Sequence, residues 1–245
     1  MKRLNDYSQN FLRRPSLVME LFNRTKFNLD STVLDIGAGS GVISSTISPH
    51  VKKVIAVELE PRMAEKLREN TAKHPNVTVK ESDILTMPLP SEPYSVFANI
   101  PFHLSSPIVE RLISEEHKPE SIYLIVQKQF GRKLIAETDK EHFTSQLGML
   151  VGIYYKVRIF KALEHTDFWP HPAVDTVCME FIRREEPLIT DKQFRTYRQF
   201  TKDCFSNPKN LKGMPLSEAG LSEPLSPSRL TVGEWVNLFK LQTKY

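Results

Sequence analysis

A glycine-rich turn lies between an apolar run and a predicted helix in the first third of the chain. The run covers residues 32–36 and includes Asp35, and the turn after it is Gly37-Ala38-Gly39-Ser40-Gly41. Glycines at such a position let the backbone turn tightly and let a ligand lie against the main chain at the helix N-terminus. Taken alone, the motif is equally typical of a tight strand-to-helix connection, so its value depends on the residues downstream of it.

Two carboxylates stand at the ends of the next two predicted strands. Glu58 comes about 20 residues after the loop, where an acidic side chain accepts hydrogen bonds from ribose hydroxyls. Asp83 ends the third strand, where it could also cap a turn. The glycines are spaced G-x-G-x-G rather than the G-x-G-x-x-G of dinucleotide sites, and Asp35 would repel a pyrophosphate but suits a ligand with an ammonium group. This pattern predicts S-adenosylmethionine, with Glu58 at its ribose and Asp83 at its adenine.

The next motif with chemical potential is Asn99-Ile100-Pro101-Phe102, at the end of a fourth predicted strand. The Asn99 side-chain oxygen and the Ile100 carbonyl, held extended before Pro101, form two fixed hydrogen-bond acceptors. Both can accept from the exocyclic amino group of a planar base, which draws the nitrogen lone pair out of conjugation and towards a methyl donor. Phe102 offers a flat face on which that base can stack. The motif therefore predicts methyl transfer to an amino nitrogen of a base.

A base inside folded RNA or DNA must leave its stack to reach such a pocket, and it needs a second stacking surface. The segment Phe168-Trp169-Pro170-His171-Pro172 is the candidate, because its two prolines stiffen the loop that carries both aromatic rings. Trp169 is equally suited to an apolar plug between domains, so its role stays open at this stage.

The elements that carry these motifs alternate between short apolar runs and amphipathic segments, as in βα units on a parallel sheet. The predicted fold is α/β: a Rossmann-like sheet of the class I methyltransferase type, with seven strands of which the last is antiparallel, and a small C-terminal helical domain. Strands are predicted at 32–36, 54–57, 77–79, 94–98, 122–126, 154–159 and 176–182, and helices at 15–22, 42–47, 61 to about 74, 193–205 and 228–241.

The chain changes character after residue 185, where a charged segment leads into two helices separated by a Pro- and Ser-rich stretch. We predict a cofactor-binding catalytic domain at residues 1–185 and a helical RNA-binding or accessory domain at 186–245. Positive charge concentrates at the two ends. Residues 1–30 carry six Lys and Arg against three Asp and Glu, and 186–245 carry nine against six. This suits a polyanionic partner but is also ordinary for a basic protein.

The composition excludes several classes of protein. With 245 residues, 40% hydrophobic and 25% charged, the chain is long and apolar enough for a globular core. Its longest nearly apolar stretch, 147–155, is far shorter than the ~18 residues that cross a bilayer, and no apolar signal segment comes after the basic start. Two cysteines cannot build a disulfide framework or a four-ligand zinc site, so no metal is predicted. These features indicate a soluble, cytoplasmic protein.

Five motifs, in this order along the chain, resemble the ribosomal RNA adenine N6-methyltransferases, which comprise the erythromycin-resistance (Erm) enzymes and the housekeeping KsgA type. The resemblance covers nearly the whole chain. The short length, the Asn-Ile-Pro-Phe form and the compact C-terminal part are more similar to Erm, whereas residues 127–128 and 174–175 are closer to KsgA. The motifs are Ser8-Gln9-Asn10-Phe11-Leu12, Asp35-Ile36-Gly37-Ala38-Gly39-Ser40-Gly41, Asn99-Ile100-Pro101-Phe102, Leu124-Ile125-Val126-Gln127-Lys128 and Phe168-Trp169-Pro170-His171-Pro172-Ala173-Val174-Asp175.

The resemblance implies S-adenosylmethionine as the cofactor and assigns residues to two parts of the site. It implies that Phe102 and Phe168 sandwich the target adenine. The predicted catalytic residues are Asn99, Ile100, Pro101, Phe102 and Phe168. The predicted cofactor-binding residues are Gln9, Asn10, Leu12, Gly37, Gly39, Glu58, Leu59, Asp83, Ile84 and Asn99.

The activity that the resemblance implies is N6-methylation, mono- or di-, of a flipped-out adenine in 23S rRNA, free or in ribosomal precursors. That activity confers resistance to macrolides, lincosamides and streptogramin B. A KsgA-like enzyme for 16S rRNA, a DNA adenine methyltransferase and a non-catalytic RNA-binding protein on the same fold remain alternatives. We expect a monomer that contacts rRNA phosphates through basic side chains. The candidates are Arg13, Arg14, Arg111, Arg132, Lys133, Lys209 and Lys212.

Overall fold

A computed structural model describes residues 10–136, 143–212, 214–221 and 226–243. Within these ranges, nine strands and eight α-helices succeed one another along the chain. The strands are β1 (Phe11–Leu12), β2 (Thr32–Ile36), β3 (Lys53–Glu58), β4 (Val77–Glu81), β5 (Ser95–Asn99), β6 (Ser121–Gln127), β7 (Tyr155–Leu163), β8 (Phe168–Trp169) and β9 (Thr176–Arg183). The helices are α1 (Pro15–Phe22), α2 (Val42–Ile47), α3 (Pro61–Thr71), α4 (Ser105–Ser114), α5 (Lys128–Leu134), α6 (Gln146–Tyr154), α7 (Asp191–Ser206) and α8 (Val232–Gln242).

Seven of the described strands form one mixed sheet in the order β4-β3-β2-β5-β6-β9-β7. Parallel ladders join the strands from β4 to β6, and the antiparallel pairing occurs at the edge that holds β9 and β7. The chain returns from β4, at one edge, to β5 beside β2, so the direction of winding reverses between β2 and β5. In open α/β sheets, ligands bind outside the carboxyl ends of the strands at such a reversal. The predicted α/β fold with a seven-stranded sheet is confirmed.

The central strands explain why their positions could be predicted. All residues of β2 except Thr32 are buried, as are all residues of β5 except Asn99 and all of β6 except Gln127. Parallel strands that are covered on both faces consist of nearly continuous apolar residues, and such runs stand out in a sequence. The helices α1 and α2 pack against one another beside this core.

A second, two-stranded sheet pairs β1 with β8 in antiparallel register. Phe11 lies opposite Trp169, and Leu12 lies opposite Phe168. Because side chains alternate between the two faces of a strand, Leu12 and Phe168 share one face while Phe11 and Trp169 share the other. The first pair is buried in the hydrophobic core, and Trp169 on the opposite face is exposed.

By their internal contacts, the described residues form two compact units. The first contains those of Met1–Lys128 together with Ile159–Glu180, and the second contains those of Gln129–Arg158 together with Phe181–Tyr245. The glycine-rich turn and the Asn99 motif both belong to the first unit. The predicted division into a cofactor-binding catalytic domain at residues 1–185 and a helical RNA-binding or accessory domain at 186–245 stays a prediction.

The second unit has an aromatic core formed by α7 and α8. Tyr197 meets Phe239 and Phe200 meets Trp235 edge-on, at centroid distances of 5.4 and 5.6 Å. The helix predicted at 228–241 begins only at Val232, because Pro227–Arg229 form a 3-10 turn and Thr231 starts α8 with a capping box. No helix in the described part of the chain is long and apolar enough to cross a membrane.

Candidate active site

A cavity of about 440 Å³ opens at the carboxyl ends of β2, β3, β4 and β5. Its volume lies within the range of small-molecule sites, roughly 300–1,000 Å³. The segments directly after four neighbouring strands line it, so residues far apart in the sequence meet there. Ten of the predicted site residues are part of the lining: Asn10, Gly37, Glu58, Leu59, Asp83, Ile84, Asn99, Ile100, Pro101 and Phe102.

Glu58, the last residue of β3, is held in place by backbone donors. Its Oε2 accepts from the N–H of Gly39 at 2.8 Å, and its Oε1 accepts from those of Leu59 and Glu60 at 2.9 and 3.0 Å. The residue is only 5% exposed, so the carboxylate has a fixed position at the edge of the cavity. Carboxylate oxygens can accept more than one hydrogen bond each, which leaves acceptor capacity for ribose hydroxyls.

Two positions of the turn require glycine, because the backbone there has a positive φ and because a side chain would crowd its neighbours. Gly37 and Gly39 have φ of +66° and +55°, a region that other residues rarely adopt. A Cβ on Gly37 would lie 3.1 Å from Cδ of Pro101, and one on Gly39 would lie 3.2 Å from Cδ1 of Phe11. Pro101 and Phe11 both line the cavity, so the glycines let the turn approach the walls of the site.

Asp83 caps a turn, and its place at the cavity is also compatible with the predicted contact to adenine. Its Oδ1 accepts from the N–H of Leu85 at 2.8 Å, and its carbonyl accepts from those of Thr86 and Met87, so it organises the turn after β4. The residue also lines the cavity, beside Ile84. The turn thereby presents a carboxylate and an apolar side chain to the cavity at neighbouring positions.

The orientation of the Asn99 amide is set by the N-terminal segment. Its Nδ2 donates to the carbonyl of Asn10 at 2.8 Å, while its Oδ1 is buried and has no hydrogen-bond partner among the described residues. This hydrogen bond fixes which way the amide points, and its unpartnered oxygen is an acceptor available to a ligand. Asn99 pairs with Ile125 at the end of β5, so its backbone position is fixed by the sheet.

The rest of the motif comes directly after Asn99. Pro101 has φ −58° and ψ 124°, and residues Phe102–Leu104 then form a 3-10 turn that leads into α4. Ile100 is buried, whereas Phe102 is partly exposed and lines the cavity. The polar acceptors and an aromatic face are therefore adjacent, as the sequence predicted.

Three predicted site residues do not line the cavity, and one lies outside the described residues. Leu12 and Phe168 are 5% and 0% exposed and belong to the hydrophobic core, because they occupy the inner face of the β1–β8 pair. This arrangement does not bring Phe168 to the cavity, and its role as a second stacking surface stays a prediction. Gly39 acts through its hydrogen bond to Glu58. Gln9 is the residue outside the described ranges.

Sequence reasoning missed several residues that line the cavity. Phe11 was only part of a motif, and Ser82 and Leu85 flank Asp83 on the turn after β4. Neighbouring residues of a strand face opposite sides, so Phe11 and Leu12 could have been assigned to different environments. A strand of two residues is too short for this alternation to be recognised in the sequence. His103 and Ile108 belong to the turn and helix after the Asn99 motif, which the sequence analysis did not assign.

Arg111, predicted to contact RNA, has a different place in the structure. Its guanidinium donates to the carbonyls of Leu85 and Met87 and forms an ion pair with Glu115 at 3.3 Å. Because the side chain spans from α4 to the turn after β4, it holds together two segments that line the cavity. The other six candidates are exposed: Arg13, Arg14, Arg132, Lys133, Lys209 and Lys212.

Asp35 is buried beneath the glycine-rich turn instead of lining the cavity. It is 1% exposed, and its Oδ2 accepts from the hydroxyl of Ser44 at 2.6 Å. Burial removes water from the carboxylate, and this desolvation raises the pKa of Asp35 to about 7, although the Ser44 hydrogen bond opposes the shift. The acidic residue ahead of the turn is therefore a buried structural group in this arrangement.

Replacing Asp35 by asparagine is expected to make the stability of the protein less dependent on pH. Between the ordinary pKa of an aspartate and about 7, the carboxyl stays protonated when folded but ionises when unfolded, so the wild type loses stability as pH rises through this window. Thermal melts from pH 4 to 8 should show a flatter curve for Asp35→Asn, with a gain at pH 8 of up to about 4 kcal/mol. The exposed Asp30→Asn is the control and should match the wild type; a parallel curve for Asp35→Asn would contradict the assignment.

The residues around the cavity fit S-adenosylmethionine. Glu58 and Asp83 can accept from ribose hydroxyls and an adenine amino group, and Val57, Leu59 and Ile84 supply apolar surface for the base. No lysine or arginine is found among the described residues that line the cavity, so a pyrophosphate would have no cation there. The unpartnered Asn99 Oδ1 further requires a donor from a ligand or water.

The fold and the cavity together define a Rossmann-like protein that holds a nucleoside cofactor at the end of its sheet, as methyltransferases do. The model of the family described as ribosomal RNA adenine dimethylase matches residues 2–220, and the chain belongs to that family. Members of the family use S-adenosylmethionine, so the predicted family and its cofactor are both confirmed.

Individual relatives include both types that the sequence resembles. The chain is 26% identical over 247 residues to an rRNA adenine N-6-methyltransferase from Saccharopolyspora erythraea, which covers 96% of this chain and 64% of that relative. It is also 26% identical over 208 residues to a ribosomal RNA small subunit methyltransferase A from Streptococcus thermophilus. That alignment covers 81% of this chain and 71% of the relative. Equal identity to both types does not separate them.

Solved structures support the same fold over almost the whole chain. The 23S rRNA methyltransferase ErmE superposes with a TM-score of 0.81 at 26% identity, covering 95% of this chain and 100% of that one. A dimethyladenosine transferase from Plasmodium falciparum superposes with a TM-score of 0.75 at 23% identity, covering 96% and 98%, and shows the likeness of fold alone.

Proposed function

We propose that this chain transfers a methyl group from S-adenosylmethionine to the N6 amino group of an adenine in 23S rRNA. The observation that carries the proposal is the Asn99 amide: its nitrogen is occupied by the Asn10 carbonyl, and its buried oxygen has no partner among the described residues, in a residue that lines the cavity. An oxygen in this position is a preorganised acceptor for an N–H group of the substrate.

The polar groups of the motif prepare the amino nitrogen for methyl transfer. Asn99 Oδ1 and the Ile100 carbonyl each accept one hydrogen bond from the adenine N6 amino group, which pulls its lone pair out of the ring system. Phe102 stacks on the base and sets the direction of that lone pair. When bound, S-adenosylmethionine would supply an electrophilic sulfonium methyl and leave as a thioether, and the methylated nitrogen would lose one amino proton to solvent.

The choice of 23S rRNA rests on likeness to the Erm type. The superposition with the 23S rRNA methyltransferase ErmE extends over that whole chain. Methylation in the drug-binding region of 23S rRNA would give resistance to macrolides, lincosamides and streptogramin B. The proposed enzyme works as a monomer in the cytoplasm.

A KsgA-like activity on 16S rRNA is the second candidate, because relatives named ribosomal RNA small subunit methyltransferase A reach the same 26% identity. The two candidates are separated by methyl transfer from tritiated S-adenosylmethionine to purified 23S rRNA, 16S rRNA and duplex DNA, with subsequent mapping of the modified base. We expect label in one adenine of 23S rRNA. Label confined to 16S rRNA would favour the KsgA-like activity, and label in the DNA would overturn both.

The RNA-binding role of residues 186–245 belongs to the same proposal. Lys209 and Lys212 are exposed at the turn after α7 and can contact phosphates. Phosphate contacts add affinity without reading sequence, and each one adds to the salt dependence of binding. Reversing both charges, with Lys209→Glu and Lys212→Glu, tests this part of the proposal through the salt dependence of RNA affinity.

Phe102 is expected to act through its flat face. Phe102→Tyr and Phe102→Trp should keep most of the methyl transfer activity, whereas Phe102→Ala should lose about 1–3 kcal/mol of stacking with the base. Phe168→Ala is the contrasting variant: its ring is fully buried, so we expect a loss of about 3–5 kcal/mol in stability, measured by thermal or denaturant unfolding. An active Phe102→Ala together with an inactive Phe102→Tyr would contradict the stacking role.

A further inference from the structure

Trp169 is an exposed aromatic residue that the proposed chemistry does not use. It is 59% exposed, although its neighbour Phe168 is completely buried. Indole has a large apolar surface, and its exposure costs free energy unless a ligand or partner covers it. Single exposed apolar side chains are common, so the position of the indole relative to the cavity is the deciding observation.

The register of β1 and β8 brings Trp169 next to the cavity. Trp169 lies directly opposite Phe11, and Phe11 lines the cavity. Directly opposite residues of an antiparallel pair have their side chains on the same face, with Cβ atoms about 4.5–5.5 Å apart. The exposed indole is therefore continuous with the rim of the site at which the target base is proposed to bind.

A positively charged side chain lies over the indole ring. The Cζ of Arg13 lies over the Trp169 ring at 5.7 Å from its centroid, and Arg13 has no carboxylate partner within the described part of the chain. The next residue, Arg14, is by contrast paired with Asp167 at 2.8 Å. His171 meets the indole edge-on, with centroids 5.9 Å apart. An arginine over one face orders the ring and leaves positive charge beside it for a phosphate.

We propose that Trp169 and Arg13 form a stacking platform for an unpaired base of the rRNA next to the target adenine. RNA that has a base flipped out exposes its neighbours, and unpaired bases are recognised by stacking on aromatic rings with arginine at their phosphates. The exposed indole supplies the flat surface, and Arg13 supplies the charge that complements RNA. This inference rests on the proposed function, because it needs an RNA substrate in the cavity beside it.

Intrinsic fluorescence tests the platform directly, because the chain has two tryptophans of opposite exposure. Trp169 is 59% exposed, and Trp235 is fully buried in the second unit. We expect an RNA hairpin that the wild type methylates to quench the emission, and we expect Trp169→Phe to abolish that quenching. Quenching that persists in Trp169→Phe, or quenching by S-adenosylmethionine alone, would overturn the inference.

The affinity for the same hairpin measures how much the stacking platform contributes to RNA binding. Trp169→Ala should weaken binding about tenfold, as the loss of one stacked base does, while Trp169→Phe should stay within about threefold of the wild type. Arg13→Ala should lower the slope of log affinity against log salt by about one. The control is Leu29→Ala, because Leu29 is a large apolar residue that is 70% exposed, belongs to the first unit and does not line the cavity. It should bind RNA like the wild type.

Failure of this inference and failure of the proposed function are distinguishable. If the wild type methylates no rRNA adenine, the proposed function fails. If the wild type methylates the hairpin and Trp169→Ala binds it with unchanged affinity, only the platform is wrong. Melting temperatures and the affinity for S-adenosylmethionine are measured for each variant. If the Trp169 variants change only these two quantities and keep the affinity for RNA, Trp169 is a packing residue.

Discussion

Replacing Asn99 by alanine is expected to lower kcat by about 10²-fold, or on the order of 3 kcal/mol, and to leave the affinity for RNA nearly unchanged. The Asn99 oxygen is an acceptor whose hydrogen bond strengthens as the amino nitrogen becomes tetrahedral, so its loss affects the transition state more than the ground state. Single-turnover methyl transfer and a separate RNA-binding measurement give the two quantities.

The matched control for this change is Asn76→Ala. The Asn76 amide also donates to backbone carbonyls, those of Ser48 and Val51 at 2.8 and 3.0 Å, but it lies outside the cavity. Asn76→Ala should lose stability and keep kcat. Near-normal turnover in Asn99→Ala, or an equal loss of turnover in both variants, would contradict the role given to Asn99.

The second large effect is expected for Gly39→Val, which should weaken the binding of S-adenosylmethionine by at least about tenfold. Valine at φ +55° is strained, and its Cβ would push on Phe11, which lines the cavity. The same change disturbs the N–H that donates to Glu58 Oε2. The sequence suggests a direct clash with the ligand, whereas the structure assigns the effect to these two neighbours. Isothermal calorimetry with S-adenosylmethionine measures it.

Gly220→Val separates the contribution of backbone strain from that of displaced neighbours. Gly220 also has a positive φ, +74°, but a Cβ there would meet nothing within 4 Å. Both variants should lose about 1–2 kcal/mol of stability from the left-handed backbone. Only Gly39→Val should lose cofactor affinity, and a loss of similar size in Gly220→Val would show that the cause is general destabilisation.

The parts of the fold that the sequence predicted best are those in which local pattern and burial agree. The strand β2 is apolar apart from Thr32 and Asp35 and is followed directly by the glycine-rich turn, and its predicted and observed bounds are the same. The helix α1 has its proline at the first turn and its apolar residues at helical spacing, and it also matches. In both segments, tertiary packing requires what the local sequence already prefers.

The parts that were missed depend on contacts between distant segments. The strands β1 and β8 have two residues each and exist because they pair with each other across more than 150 residues of sequence. The helix α6 is apolar all round and entirely buried apart from Gln146 and Leu147, so it shows no amphipathic period. The burial of Leu12 and Phe168 and the exposure of Trp169 result from the β1–β8 pairing, which no local pattern reveals.

The residues of the candidate site also divide into those that a local sequence pattern predicts and those that depend on contacts between distant segments. Glu58, Asp83 and Asn99 were found because each is a polar residue at or shortly after the carboxyl end of a strand, and parallel strands bring such ends together. The carbonyl of Asn10 that orients the Asn99 amide could not be predicted, because it acts through the backbone and depends on where the N-terminal segment lies. Arg111 could not be distinguished from a surface arginine without the turn that it holds.

The measurement that tests the account most directly is the identity of the nucleoside that receives the methyl group. Ribosomal RNA is incubated with the protein and S-adenosylmethionine carrying a deuterated methyl group, digested to nucleosides and analysed by mass spectrometry. We expect label in N6-methyladenosine or N6,N6-dimethyladenosine from 23S rRNA, and a large loss of that label with Asn99→Ala. Label in any other nucleoside, or equal label with Asn99→Ala, would contradict the account.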